Sequence, residues 1–204
     1  KRSAGMIRGK ADKIDSVRIA EYAWLRRDRL VTTAIVGENM LKLDQLLSLR
    51  AKLVKDCSGY KTRLKEMISS GSCVKGDAVY KTQQAVLKTL ITEIKKLEAG
   101  IEQLITDDPE LKKNFDLIRT IKGVGKVVAA KVLAVTNNFK KFSNARKFNC
   151  YAGLAPFKHE SGTSIRGRSR ISHLANKEVK TILSLAAFCA IRCDEELKQY
   201  YQKR

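Results

Sequence analysis

Leu43–Met67, with the sequence LDQLLSLRAKLVKDCSGYKTRLKEM, decides the fold of this chain. Positions spaced three and four residues apart form one helical face on which seven of eight residues are apolar. That face comprises Leu43, Leu46, Arg50, Leu53, Cys57, Tyr60, Leu64 and Met67. A second series with this spacing comprises Tyr80, Gln83, Leu87, Leu90, Ile94, Leu97, Ile101 and Leu104. The turn-forming segment Ser69–Asp77 separates them, so the pattern predicts an antiparallel coiled-coil hairpin with arms about 42 Å long.

The patterns on either side of this arm also predict helices. Residues 12–30 are predicted to form one helix capped by Asp15 or Ser16, and the remainder of the chain a compact helical domain. We therefore expect a mainly all-α fold with three regions, residues 1–36, the coiled-coil arm 37–108 and a C-terminal domain 109–204. The arm could dimerise the protein, brace a nucleic acid, or simply pack on the main body.

The composition predicts a polyanionic partner. Lys and Arg number 41 against 21 Asp and Glu in 204 residues, a net charge of +20, so nucleic acid is the leading candidate. No run of about 18 apolar residues and no signal-peptide pattern are present, so we expect no membrane partner and a cytoplasmic, nucleoid-associated location. The five cysteines form no metal-ligand pattern and are expected to be reduced thiols. Because the chain begins on Lys1 and not Met, we expect a piece of a longer protein.

Ile121–Ala129, with the sequence IKGVGKVVA, has the pattern of a helix-hairpin-helix. Gly123 and Gly125 allow a tight turn whose backbone amides could bind a DNA phosphate without reading bases. Lys122 and Lys126 add positive charge beside that turn. We predict DNA-backbone contact for these four residues, with a plain interhelical turn as the alternative.

Ser161 follows a Gly- and Pro-containing turn and precedes three alternating arginines. These are Arg166, Arg168 and Arg170, which would share one face if the segment is extended. A hydroxyl beside fixed guanidinium groups is suited to attack on a phosphodiester, since the cations offset the charge that develops. The alternative is a solvated polar loop in which the serine only makes a turn.

Asp12 and Asp15 are three residues apart, so on a helix their carboxylates point the same way. Carboxylates paired in this way can hold Mg²⁺ against a phosphate. A helix cap and a surface charge are the alternative interpretation.

Several of these motifs together resemble one family. Residues 9–16 resemble the Lys-Thr-Asp-x-x-Asp-Ala signature of IS110-type insertion-sequence transposases, and residues 121–130 their Pro-Gly-Ile-Gly-x-x-x-Ala segment. Residues 142–156, followed by Ser161-Gly162, resemble their Arg-Phe…Tyr-Ala-Gly-Leu-x-Pro…Ser-Gly block, and Asn176 continues it. The departures are mild, such as Ala11 where Thr is usual and Lys122 where Pro is frequent.

The resemblance implies a DNA recombinase with an N-terminal RNase H-like domain that carries an Asp-Glu-Asp-Asp metal set, a coiled-coil insertion and a C-terminal domain with a nucleophilic serine. Asp12 and Asp15 would be the last two carboxylates of that set and Ser161 the nucleophile. The resemblance also implies Mg²⁺, a guide (bridge) RNA and a dimer or tetramer, and we include Asn176 among the DNA-binding residues.

Most of the RNase H-like domain would lie upstream of Lys1, so we expect this chain to bind DNA but to be inactive alone. A non-catalytic helix-hairpin-helix adaptor that binds nucleic acid and dimerises through the arm is the rival hypothesis.

Overall fold

The computed structural model describes residues 12–29, 36–161 and 165–203, and the side chains of residues 158–161, 165 and 166 lie outside its description. Within those ranges are eight helices and one two-stranded sheet. The helices are α1 (Asp12–Leu25), α2 (Glu38–Ser69), α3 (Ala78–Thr106), α4 (Pro109–Arg119), α5 (Lys126–Thr136), α6 (Ala145–Tyr151), α7 (Lys177–Cys193) and α8 (Glu195–Gln202). The predicted mainly α-helical fold is confirmed.

Helix α1 belongs to an N-terminal unit that is separate from residues 36–204. It ends at Leu25, and a 3₁₀ turn at Arg27–Arg29 follows, so the single helix predicted for residues 12–30 is shorter than expected. Ser16 lies inside the helix, where its hydroxyl donates to the Lys13 carbonyl at 2.9 Å. The predicted Asp15 or Ser16 cap is therefore wrong, because the helix already begins at Asp12.

Helices α2 and α3 are the two long helices predicted from the apolar spacing, and they pack antiparallel. Cys57 and Leu64 of α2 are buried against Leu87 of α3 in the outer half of the pair. Arg50 is the one polar residue in the first apolar series. It fits there because its guanidinium pairs with the Glu98 carboxylate of α3 at 2.6 Å.

The inner ends of α2 and α3 share one core with α4 and α5. Its buried residues are Met40, Leu43 and Leu47 of α2, Ile101 and Ile105 of α3, Leu111, Phe115 and Ile118 of α4, and Ala129, Ala130 and Leu133 of α5. Asp108 caps α4 by accepting hydrogen bonds from the Glu110 and Leu111 amides, with Pro109 at the first turn. This core fixes the base of the arm to the C-terminal helices.

A buried lysine links three helices across this core. Lys131 of α5 is only 5% exposed, and its ammonium lies 3.3 Å from Asp44 of α2 and 3.1 Å from Glu178 of α7. A buried ammonium requires such partners, because desolvation without compensation would destabilise the charged form. Lys131 thus ties the start of α7 to α5 and to the arm.

The turn between α4 and α5 packs closely on α7. Gly123 has φ +84°, and a Cβ placed on it would lie 2.5 Å from the Ala186 carbonyl oxygen and 2.5 Å from the Ala190 nitrogen. Gly125 has an ordinary φ of −84°, and no atom would lie within 4 Å of an added Cβ. Glycine is therefore required by packing and by backbone conformation at position 123, but by neither at position 125.

The segment predicted as a loop around Ser161 is a β-hairpin. Strands β1 (Phe157–Ser161) and β2 (Ile165–Arg170) are antiparallel, with Ser161 paired to Ile165 next to residues 162–164. In the order of the chain, the hairpin lies between α6 and α7.

None of the helices in the described ranges combines the length and apolarity that a bilayer span requires.

Gly123→Ala should destabilise the protein by about 3 kcal/mol, because the new methyl group would meet α7 backbone atoms at a positive φ. Gly125→Ala is the matched control and should cost about 1 kcal/mol or less, the cost of a poorer N-cap. Urea unfolding midpoints with unchanged slopes measure both. Equal losses for the two variants would contradict this packing.

Candidate nucleic-acid interface and serine hairpin

The excess positive charge is concentrated in the C-terminal part of the chain. Residues 109–204 contain 20 Lys and Arg against 7 Asp and Glu. The arm and the N-terminal residues share the remaining excess. A polyanion is therefore expected to approach the C-terminal helices and their β-hairpin.

Ser161 is the last residue of β1, so its backbone is extended at the turn end of the hairpin. Its hydroxyl and the Arg166 guanidinium belong to the side chains outside the description. The role of Ser161 as a nucleophile stays a prediction, and its position in the chain is at a strand end and not in an irregular loop.

The arginines on β2 are exposed where their side chains are described, at Arg168 and Arg170. The pairing register shifts between Phe157 and His159, so β2 has one extra residue opposite that stretch of β1. Arg168 and Arg170 lie in this irregular stretch, since position 170 pairs with Phe157 and position 167 with His159. The irregularity breaks the alternation on which the expectation of one common arginine face depended.

The two lysines of the α4–α5 turn both have acidic partners within the chain. The Lys122 ammonium lies 3.0 Å from the Asp194 carboxylate, and the Lys126 ammonium is bonded to the Glu102 carboxylate of α3. Gly123 faces α7, and Gly125 is the extended N-cap residue of α5. The predicted DNA contacts at these four residues would have to compete with, or add to, these internal contacts.

These ion pairs shift the pKa values of their members. The hydrogen bond from Lys122 and a second from the Leu197 amide lower the pKa of Asp194, and the same Asp194 bond raises the pKa of Lys122. The hydrogen bond from Lys126 lowers the pKa of Glu102. The stabilisation from the Lys122–Asp194 pair is therefore complete at neutral pH. It is lost as the pH falls through the lowered pKa of Asp194 or rises through the raised pKa of Lys122.

Asn176 uses both ends of its side-chain amide inside the protein. Its Oδ1 accepts from the Val179 amide at 3.1 Å and caps α7, and its Nδ2 donates to the Tyr151 hydroxyl at 3.0 Å. A DNA contact by Asn176 stays a prediction beside this observed structural role. No local pattern in the sequence indicates the contact of Asn176 with Tyr151, because the two residues lie 25 positions apart.

Asp12 and Asp15 lie in the first turn of α1, and both are exposed. The Asp15 carboxylate lies 3.4 Å from the Arg18 guanidinium. Among the described residues, no group of three His, Cys, Asp or Glu side chains could hold a metal ion. The role of Asp12 and Asp15 as Mg²⁺ ligands stays a prediction.

Lys122→Met should raise the pKa of Asp194, because the hydrogen bond that lowers it most is removed, and should leave Glu102 unchanged. Lys126→Met is the crossed control: it should raise the pKa of Glu102 and leave Asp194 unchanged. Carboxyl-carbon NMR titrations of both variants measure these shifts. An Asp194 titration that does not respond to Lys122→Met would contradict the pairing.

Two family models match this chain. The model described as the IS116/IS110/IS902 family of transposases matches residues 115–202, and a transposase model of the IS110 DEDD type matches residues 1–71. The first match contains the α4–α5 turn, the serine hairpin and α7, and the second contains Asp12, Asp15 and all of α2.

Curated relatives agree with these matches. The pilin gene-inverting protein of Moraxella lacunata is 30% identical over 181 residues, which cover 89% of this chain and 53% of that protein. The insertion element IS110 43.6 kDa protein of Streptomyces coelicolor is 29% identical over 128 residues, 63% of this chain and 30% of that protein. The chain thus spans about half the length of the first of these relatives. The two family models together match more than half of the chain, and the relatives agree with them. The chain belongs to the IS116/IS110/IS902 family of transposases.

Proposed function

We propose that this chain is part of a DNA transposase that cuts and rejoins the ends of an insertion sequence through Ser161. The observation that carries the proposal is the family match over residues 115–202, which contains Ser161 and the basic hairpin around it. The name of the Moraxella relatives describes inversion of a pilin gene, and inversion of a gene requires that DNA be cut and rejoined.

The proposed chemistry begins with the Ser161 hydroxyl. Its oxygen attacks the scissile phosphorus, a bond from that oxygen to phosphorus forms, and the bond from phosphorus to a sugar oxygen breaks. The sugar oxygen leaves as a hydroxyl with the proton that the serine gives up. The phosphoserine bond keeps the energy of the phosphodiester, so attack by a new DNA hydroxyl rejoins the strand and restores the serine.

Arg168 and Arg170 have the role of binding the phosphate backbone beside the hairpin. Their side chains are exposed, and a guanidinium group can bind two oxygens of one phosphate at once. Such cations stabilise the extra negative charge of a phosphorus under attack. The concentration of cations in residues 109–204 supports DNA as the partner of this part of the chain.

The remaining parts of the proposal concern the whole protein. Asp12 and Asp15 would provide two carboxylates of a Mg²⁺ site, and an ion held there would supply positive charge beside the phosphate. A bridge RNA selects the DNA, and the protein acts as a dimer or tetramer. These statements rest on the family resemblance of the chain's motifs.

Ser161→Ala should abolish strand exchange in the whole protein, because it removes the hydroxyl that is proposed to form the phosphoserine. The assay uses a plasmid that carries the protein's own insertion element with its flanking DNA, and new junctions are detected by amplification. Ser169→Ala, at an exposed serine on β2, is the matched control and should keep activity.

Strand exchange that persists in Ser161→Ala would exclude the serine mechanism. Strand exchange by neither the native protein nor any variant, with DNA binding intact, would favour the non-catalytic adaptor.

Replacing Arg168 or Arg170 by Gln should weaken binding to a random-sequence DNA duplex and reduce its salt dependence. Each lost phosphate contact lowers the slope of log K against log salt by about 1. Arg63→Gln, the same charge change on exposed α2, should have little effect. Fluorescence anisotropy at several salt concentrations measures the slopes. Equal slopes for all three variants would argue against a DNA contact at the hairpin.

A further inference from the structure

The serine hairpin lies in an excursion of the chain whose two ends, Tyr151 and Asn176, are in contact with each other. Residues 152–175 connect the end of α6 at Tyr151 to the N-cap of α7 at Asn176, and both strands lie within that excursion. Whatever fixes Tyr151 against Asn176 therefore also fixes the base of the strand that ends in Ser161.

Tyr151 and Asn176 are joined by two hydrogen bonds, and a third holds Asn176 to α7. The Asn176 backbone amide donates to the Tyr151 carbonyl at 2.8 Å, and its Nδ2 donates to the Tyr151 hydroxyl at 3.0 Å. Its Oδ1 accepts from the Val179 amide at 3.1 Å. The asparagine thus connects the entry of the hairpin with the first turn of α7.

Close packing supports the same junction. Gly153 has φ +69°, and a Cβ placed on it would lie 2.8 Å from the Ala175 Cβ and 3.2 Å from a methyl group of Ile171. The Tyr151 ring packs against Phe142, with ring centres 5.2 Å apart. The two ends of the excursion are therefore in contact over several residues beyond the hydrogen bonds.

We propose that the Tyr151–Asn176 contact orients the serine hairpin, and that Tyr151 is a positioning residue for Ser161. The proposal rests on the proposed function of Ser161. A two-stranded hairpin has little stability of its own, so its direction depends on its base. Ser161 lies four strand residues beyond Phe157, about 13 Å away at 3.3 Å per residue. A small change of angle at the base moves the serine by an ångström or more, which is enough to slow a reaction that requires alignment.

Three variants separate this contact from the helix cap. Tyr151→Phe removes only the hydroxyl and keeps the ring. Asn176→Ser keeps an N-cap oxygen but is too short to reach Tyr151. Asn176→Asp keeps the cap and can accept a hydrogen bond from the Tyr151 hydroxyl, so it is the conservative control that should retain the contact.

The experiment measures the rate of the Ser161–DNA adduct in the whole protein, with the plasmid that carries its own insertion element, and DNA affinity in parallel. Tyr151→Phe and Asn176→Ser should each slow adduct formation about fivefold to tenfold, the effect of one lost hydrogen bond. The DNA affinity of Tyr151→Phe should stay within about twofold of the native value. The double variant should be no slower than either single variant, because both remove the same contact. Asn176→Asp should react faster than Asn176→Ser, because its carboxylate can still accept from the Tyr151 hydroxyl.

A native rate for Tyr151→Phe, or additive losses in the double variant, would overturn the proposal. Equal losses of affinity and rate would also overturn it, since they would indicate only a general structural role. Amide hydrogen exchange over residues 157–170 gives a readout that does not depend on chemistry, and faster exchange in Tyr151→Phe and Asn176→Ser, but not in Asn176→Asp, is expected. If the native protein forms no Ser161 adduct, the proposed function fails, and the exchange pattern still decides whether the contact orients the hairpin.

Discussion

Packing of α5 is the constraint on which the rest of residues 36–204 depends. Ala129, Ala130 and Leu133 of this helix are at most 1% exposed, and α2, α4 and α7 all contact it. Small residues let neighbouring helices approach closely, and the buried Lys131 adds charged contacts to Asp44 and Glu178. One short helix thereby holds the base of the arm, the turn before it and the start of α7.

The position of the serine hairpin follows from that packing. Gly123, in the turn before α5, lets the α7 backbone pack directly against that turn. Lys131 pairs with Glu178 in the first turn of α7. Asn176 then begins α7 and binds Tyr151, from which the hairpin departs. A path of direct contacts therefore runs from the core to the strand that ends in Ser161. In the proposed reaction the serine must be aligned with its DNA, and this path would provide the protein's part of that alignment.

The sequence predicted the parts of this fold that depend on local patterns. The three-four spacing from Leu43 to Leu104 predicted both long helices, and the resemblance in residues 142–156 predicted the family. Neither pattern predicted the β-hairpin, because a short run of alternating arginines has no apolar face to mark a strand. The register shift that breaks the arginine alternation has no signal in the sequence. The partners of Lys122 and Lys126 were missed because Asp194, between α7 and α8, and Glu102, on α3, are distant in the sequence, where spacing along the chain says nothing about contact.

The most direct test of the account is to map the residue that becomes attached to DNA. The whole protein is trapped on DNA that carries the ends of its insertion element, the DNA is digested to a short remnant, and the linked peptide is sequenced by mass spectrometry. The account predicts a nucleotide phosphate on Ser161 and on no other residue. A phosphate on a different side chain, or efficient strand exchange with no covalent intermediate, would contradict it.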